Sequence, residues 1–403
     1  MVAPDAGATP GPGTPSGSPA RASWWRRAAA NLLLLGLSCL LAVGAGELIV
    51  RLAAPQQLIE VRPDIWQPAD SLGWLFRPSI STTINTGERT VHVFTDADGL
   101  RVGRQGRRDA PTRVLLLGDS FLAALQVEYE QSIPALLEQA LSARIGRPVS
   151  VWNAGVAGWG PSQYLVRGRA LLARERFDAV VVLLYVGNDV VARREDYSPP
   201  LAPTRIAEWR LPRALTRTEV VEAWLRPAND FLERRSHLFV LLKTRLDVML
   251  MRAGLTADYF PVEFRRSEAT SSRWEVTAGT CREIADAAAR HGLPTLFVLL
   301  PTPFQVAPET FREYVAGFGI DTSTVDLDQP TRLLRERLAA AGLWVVDPLP
   351  EFRAAAAAGT ALYGTVDRHF SPEGHALLSA LVAPVVADSL LARPAKREAG
   401  PAR

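Results

Sequence analysis

The sequence predicts an α/β protein: a three-layer α/β/α sandwich around a five-stranded, mainly parallel sheet, preceded by one N-terminal transmembrane helix. Three observations carry this. From residue 113 onward, short apolar runs alternate with helical stretches, the signature of parallel strands joined by right-handed crossovers. Several of those runs are continuous rather than alternating, as in strands covered on both faces. Near the N-terminus lies an apolar run of roughly 20 residues, the thickness of a bilayer core.

Residues 1–20 are almost all Pro, Gly, Ala, Ser and Thr without apolar periodicity, the composition of a disordered tail. Trp24-Trp25-Arg26-Arg27 then precedes an apolar run from Ala28 to about Val50, with Glu47 its first charge. The tryptophans suit an interfacial belt. Arginines before the span outnumber Arg51 after it, which puts the N-terminus in the cytoplasm and the rest outside. A cleaved signal peptide, cut near Gly44-Ala45-Gly46, is the alternative; continuation through Leu48-Ile49-Val50 favours an anchor. Both export the remainder of the chain.

Residues 56–110 form a β-rich lead-in: Val91–Thr95 alternates, with turn signals at Asn85–Gly87 and Asp96–Gly99. The predicted strands are then 113–117, 149–152, 179–186, 295–300 and 343–347. The helices between and after them cover about 132–144, 162–174, 276–291, 331–341 and 372–391. Residues 193–273 interrupt the rhythm and are rich in Pro, Arg and Trp, with helical pieces at 218–225 and 237–251. This insertion reads equally as a substrate lid or as structural elaboration over a sheet edge.

Composition excludes several classes. Of 403 residues, 48% are hydrophobic and the net charge is only +3. The basic residues are nearly all arginine, with only Lys243 and Lys396 besides, and no basic stripe interleaves with aromatics; nucleic-acid binding has no support. Cys39 and Cys281 cannot form a disulfide framework or a cysteine zinc site. The five histidines lack metal-ligand spacing. Phosphate-loop and G-x-S-x-G patterns are absent.

Four motifs lie past strand ends or in the last loop: Gly118-Asp119-Ser120, Gly158, Gly187-Asn188-Asp189 and Asp367-Arg368-His369. In a parallel sheet such ends gather along one edge, where sites form. Gly-Asp-Ser alone is weak, arising by chance in roughly one chain in ten of this length. Together the motifs suggest chemistry. A serine hydroxyl needs a base, and imidazole titrates near working pH. Ser120, His369 and Asp367 make a candidate catalytic triad. The backbone N–H groups of Ser120 and Gly158 and the Asn188 amide are candidate oxyanion donors.

Blander readings exist for each neighbour. Ser120 suits a helix N-cap. Asp119 and Asp189 suit structural hydrogen bonding, Asn153 loop organisation, and Gly155 and Gly160 turns. His375 suits packing behind the site. The arginines at 104–108 and 234–235 suit solvated faces.

In order and spacing the four blocks resemble those of the SGNH (GDSL-type) hydrolase superfamily, over about residues 111–391 with the insertion excepted. The resemblance implies a flavodoxin-like sandwich and a serine esterase needing no metal or organic cofactor. With the apolar span and lead-in, it points to the membrane-anchored, exported branch, which includes proteins acting on cell-envelope glycans. Three features depart from the common pattern. Only Arg368 separates Asp367 from His369, as in glycan O-acetyltransferase-like members. Phe370 replaces a proline. Trp159 follows Gly158, where it is expected to narrow the acyl pocket.

The expected layout is a disordered cytoplasmic tail (1–27), a transmembrane helix (28–52), the lead-in (53–110), the hydrolase domain (111–392, insertion 193–273) and a disordered tail (393–403). The expected activity is extracytoplasmic cleavage of O-acyl esters, acetyl esters among them, on a small molecule or an acylated glycan. An O-acyltransferase using the same triad, and a non-catalytic glycan-binding or assembly protein, are the alternatives.

Overall fold

The structure is a computed structural model; it describes residues 20–54, 56, 64–69, 71–86, 88–191, 225, 227–229, 231–253, 255, 260–365 and 367–392. The expected disordered tails, residues 193–224 of the insertion and its helical piece at 218–225 lie largely outside the described residues. Two compact units are present: Met1–Leu58 with Pro227–Lys243, and Ile59–Arg226 with Thr244–Arg403.

The first unit is built on helix α1 (Ala20–Ala53). Its segment Trp24–Ala53 is long and apolar enough to cross a membrane, and its leucines are almost all exposed. Glu47, the charge that interrupts the apolar run, accepts hydrogen bonds from Ser236 Oγ (2.8 Å) and the backbone N–H groups of His237 (3.0 Å) and Leu238 (2.9 Å).

In the second unit the lead-in supplies strands β1 (Trp66–Ala69), β2 (Gly73–Phe76), β3 (Ser81–Asn85), β4 (Thr90–Thr95) and β5 (Arg101–Val102). The first two pair antiparallel, and β3-β4-β5 form an antiparallel sheet. Then come β6 (Thr112–Leu117), α2 (Ser120–Ala123), α3 (Ile133–Ile145), β7 (Val149–Asn153), α4 (Pro161–Arg174) and β8 (Ala179–Tyr185). Helix α5 (His237–Arg252), which belongs to the first unit as far as Lys243, falls where 237–251 reads as helical. Next are α6 (Arg273–Ala289), β9 (Thr295–Leu300), α7 (Pro303–Val306), α8 (Pro308–Phe318) and α9 (Gln329–Ala340). Strand β10 (Trp344–Val346), α10 (Leu349–Ala357) and α11 (Pro372–Leu391) complete it. Helices α7, α8 and α10 were not expected. Each begins with Pro at its first or second position, which suits a helix start.

The main sheet has the order β10-β9-β8-β6-β7, and every pairing is parallel. Its two faces are both buried. Leu115, Leu117, Val180, Val182, Phe297 and Leu299 belong to one core with residues of α4, α6 and α9; Val114, Leu116, Val181, Leu183, Leu296 and Val298 belong to the other with α3 and α11. Neighbouring residues therefore face opposite layers, which is why these strands are apolar throughout. Helix α11 also has the length and hydropathy of a membrane span, but it is half buried and packs into this core.

The strand order makes β6 the switch point. The chain leaves β6 for β7 on one side and returns for β8 on the other. The loops after β6 and β8 diverge there and leave a crevice at the carboxyl edge.

Candidate active site

At that crevice the loop after β6 turns at Asp119. Its carboxylate accepts the Phe121 N–H (2.9 Å) and so caps α2, a four-residue helix whose first residue is Ser120. The capping role open to Ser120 thus belongs to Asp119, and the serine hydroxyl is left for other work. Asp119 is fully buried, and burial raises its pKa against the lowering effect of the Phe121 N–H and the Asn188 amide.

The loop after β8 carries Asn188, whose amide Nδ2 donates to Asp119 Oδ2 at 3.2 Å. One amide hydrogen is thereby committed and the other remains available. Asp189 is buried beside it, accepting the Tyr185 N–H (2.8 Å) and the Tyr164 hydroxyl (3.0 Å). Burial, and secondarily the charge of Asp119, push its pKa well up. Asp189 braces the loop, as its sequence context suggests.

The loop after β7 is held by Asn153, which donates to Leu122 O (3.0 Å) and accepts from Gly155 N (2.9 Å). Gly155 is more than a turn residue. A Cβ on it would lie 2.5 Å from Leu122 Cγ and 2.7 Å from the Ala123 nitrogen, so only glycine lets this loop touch α2. Gly158 has φ +76°, a left-handed conformation that favours glycine. The lead-in grips the same loop: Trp74 Nε1 donates to Ala157 O (2.9 Å) and Trp159 Nε1 to Trp74 O (3.1 Å). Trp159 is accordingly buried in the core with the lead-in, an anchoring role not foreseen for it.

His369 arrives from the far end of the chain. A short bridge pairs Tyr363 with Phe370, and Gly364 N donates to His369 O (2.8 Å). Ser371 caps α11 immediately afterwards. Phe121 packs on the imidazole with ring centroids 4.7 Å apart. His369 Nε2 lies 2.8 Å from Ser120 Oγ, although 249 residues separate them.

Asp367 reaches His369 twice. Oδ1 accepts the His369 backbone N–H (3.1 Å), and Oδ2 lies 3.5 Å from Nδ1. The second distance is an ion-pair separation rather than a formed hydrogen bond, and Nδ1 is buried without a hydrogen-bond partner. The single intervening residue, Arg368, adopts a left-handed φ of 63°. That conformation lets a one-residue spacer turn the carboxylate back toward the ring. Burial works to raise the Asp367 pKa, but contacts with His369 and Gln126 outweigh it, and the net shift is downward.

His375 is buried against Phe370, and burial lowers its pKa to about 3, so it stays neutral. Arg107 does not lie on a solvated face: it pairs with Asp96 (2.6 Å) and stacks over Trp152, 3.4 Å from the ring centroid. A wide cleft of about 1010 Å³ lies beside it, lined by Arg104, Glu128 and Glu138, and contains none of the four loops. A small depression beside Asp367 and His369 is lined by Thr86, Glu88, Arg89 and Gln126. The residues that sequence reasoning missed are the lead-in side chains, Gly155 and Tyr164. None carries a motif; each matters through what it touches.

No protein-family model and no curated protein matches this chain. Among solved structures it is similar to TesA (16% identity, 69% of this chain and 99% of that chain, TM-score 0.36). It is similar also to a member of the lipolytic protein G-D-S-L family from Veillonella parvula (12% identity, 68% and 97%, TM-score 0.35). A third is an acetylxylan esterase from Geobacillus stearothermophilus (13% identity, 70% and 95%, TM-score 0.36). These overall superpositions are loose. In this chain itself, Ser120 and His369 are in contact at the carboxyl edge of the sheet.

Proposed function

We propose that this protein is a serine esterase of the SGNH type, acting on O-acyl esters. The observation that carries this reading is the 2.8 Å contact between His369 Nε2 and Ser120 Oγ. It brings a base within proton-transfer reach of a hydroxyl at the switch point of the sheet. A helix-capping serine would have no need of that partner.

The steps follow from the residues. Ser120 Oγ forms a bond to the ester carbonyl carbon while its proton passes to His369 Nε2. The carbonyl π pair moves onto oxygen, where the N–H groups of Ser120 and Gly158 and the free amide hydrogen of Asn188 stabilise it. Collapse breaks the bond to the alcohol, which takes the proton from His369. Water then attacks the acyl-enzyme with His369 as base again, releasing the acid and restoring Ser120. Asp367 orients the ring and stabilises the imidazolium.

The rim favours a hydrophilic alcohol such as a glycan, because Thr86, Glu88, Arg89 and Gln126 lie beside the His369 loop. The apolar α1 anchors the protein in a membrane, with residues 1–27 cytoplasmic and the esterase domain on the other side, as the arginine asymmetry favours.

The decisive experiment is labelling of the folded protein with a fluorophosphonate. Wild type is expected to be labelled at Ser120 and to hydrolyse a small acetyl ester; Ser120→Ala is expected to lose both. An unlabelled wild type would remove the esterase reading in favour of a binding role. Turnover that depends on an added glycan acceptor, with negligible hydrolysis, would make the protein an O-acyltransferase.

A further inference from the structure

Arg101 is fully buried on β5 of the lead-in. Its guanidinium donates from Nη1 to Ala123 O (2.7 Å) and to Ala124 O, and from Nη2 to Val127 O (2.6 Å). Among the described residues no carboxylate is in ion-pair contact with it, though the charges of Glu128 and Glu130 favour its charged form, and its Nε has no partner. A buried cation without a counter-ion in contact is costly. What it receives in return is a set of backbone oxygens at one place: those of Ala123 and Ala124 at the end of the four-residue helix that begins with Ser120, and that of Val127 in the turn after it.

That place needs donors. The last carbonyls of a helix have no partner within it, and they carry the negative end of its dipole. Here they are sealed from water, since Ala123, Ala124 and Val127 are all buried. The chain also leaves α2 through Ala124 at φ 52°, a left-handed conformation unfavourable to alanine. Asn153 holds the preceding carbonyl, that of Leu122. With Asp119 capping the other end, this one-turn helix is clamped from both sides. A planar fork of five N–H donors suits several diverging carbonyls; a lysine ammonium presents a single point.

We infer that Arg101 is a positioning residue for Ser120, and that through it the lead-in is a working part of the catalytic unit. This rests on the esterase reading for its kinetic consequence, though not for its geometry. The comparison uses the full-length protein, R101M, R101K, and Q329L as a control. Gln329 is likewise buried and bonds two backbone carbonyls, those of Glu263 and Arg265, but it belongs to none of the four loops. R101M is expected to slow fluorophosphonate labelling of Ser120 and to lower kcat on a small acetyl ester by about 10- to 100-fold. KM should stay within about 2-fold. R101K should recover part of the rate, whereas Q329L, despite a comparable fall in melting temperature, should label like wild type. Equal labelling rates in R101M and wild type, or equal slowing in Q329L, would overturn the inference. Should R101M not fold, R101K carries the test alone, and a wild-type rate in it overturns the proposal. Amide hydrogen exchange over residues 120–127 gives a readout independent of catalysis. It should accelerate in the Arg101 variants and not in Q329L. If wild-type Ser120 fails to react, the esterase reading falls, while unchanged exchange in the Arg101 variants separately sinks the positioning role.

Discussion

Asp367 illustrates what one residue's surroundings decide. Its Oδ1 is engaged by the His369 backbone N–H, so only Oδ2 faces the ring, at 3.5 Å. Such separations tighten when substrate charge develops. Asp367→Asn preserves the Oδ1 acceptor but presents an amide donor to Nδ1, which favours the wrong imidazole tautomer. We expect kcat to fall about 10²- to 10⁴-fold with little change in KM, measurable by steady-state kinetics. The downward shift of the Asp367 pKa also has a stability sign. The contribution is present above the unfolded carboxyl range and is lost as pH falls through the lowered value. Glu263 has the opposite sign. Burial raises its pKa from 4.5 to about 7, so folding favours its protonated form. The contribution is full below about pH 4.5 and is lost as pH rises through about 7. Glu263→Gln should therefore stabilise the protein at pH 8, by at most about 2–3 kcal/mol, and by little at pH 5. Thermal denaturation at the two values checks this; an equal effect at both would contradict it.

At the scale of elements, the site is a meeting of loops whose closeness is set by missing atoms. The loop after β7 approaches α2 so tightly that a methyl at Gly155 would meet Leu122 and the Ala123 backbone. The far end of a flexible side chain could yield, but the backbone nitrogen cannot. Gly155→Ala should displace the turn that carries Ser120. We expect a loss of labelling rate of about 10²-fold, larger than the accompanying fall in stability suggests. Normal labelling in a folded G155A protein would show that the turn tolerates the shift. The same meeting explains which elements were legible. The apolar runs of β6 to β9 announce themselves because both faces are buried. Helices α7 and α10 are short and fill gaps between larger elements, so their positions follow from packing, whereas α8, of 11 residues, is amphipathic and carries a helical period in its sequence. The lead-in shows its β character in Val91–Thr95, but its grip on the β7 loop through Trp74 has no sequence signature.

At the scale of the molecule, the membrane reading makes its own prediction. The protein should remain with membranes after alkaline extraction, and protease added from the non-cytoplasmic side should digest the α/β domain while sparing α1. Release of a soluble domain during maturation would point to signal cleavage, and protection from that protease would reverse the proposed orientation. The parallel α/β architecture and the apolar N-terminal helix were legible in the sequence, as were the short motifs that contain Ser120, Asn188, Asp367 and His369. Those features are local: an apolar run, a strand end, a short motif. Folding alone brings His369 onto Ser120, Trp159 onto Trp74, and Arg101 onto the carbonyls of Ala123, Ala124 and Val127. These are contacts between residues tens to hundreds of positions apart. Their strength comes from burial and from hydrogen bonds formed away from water, and neither exists until the chain has folded.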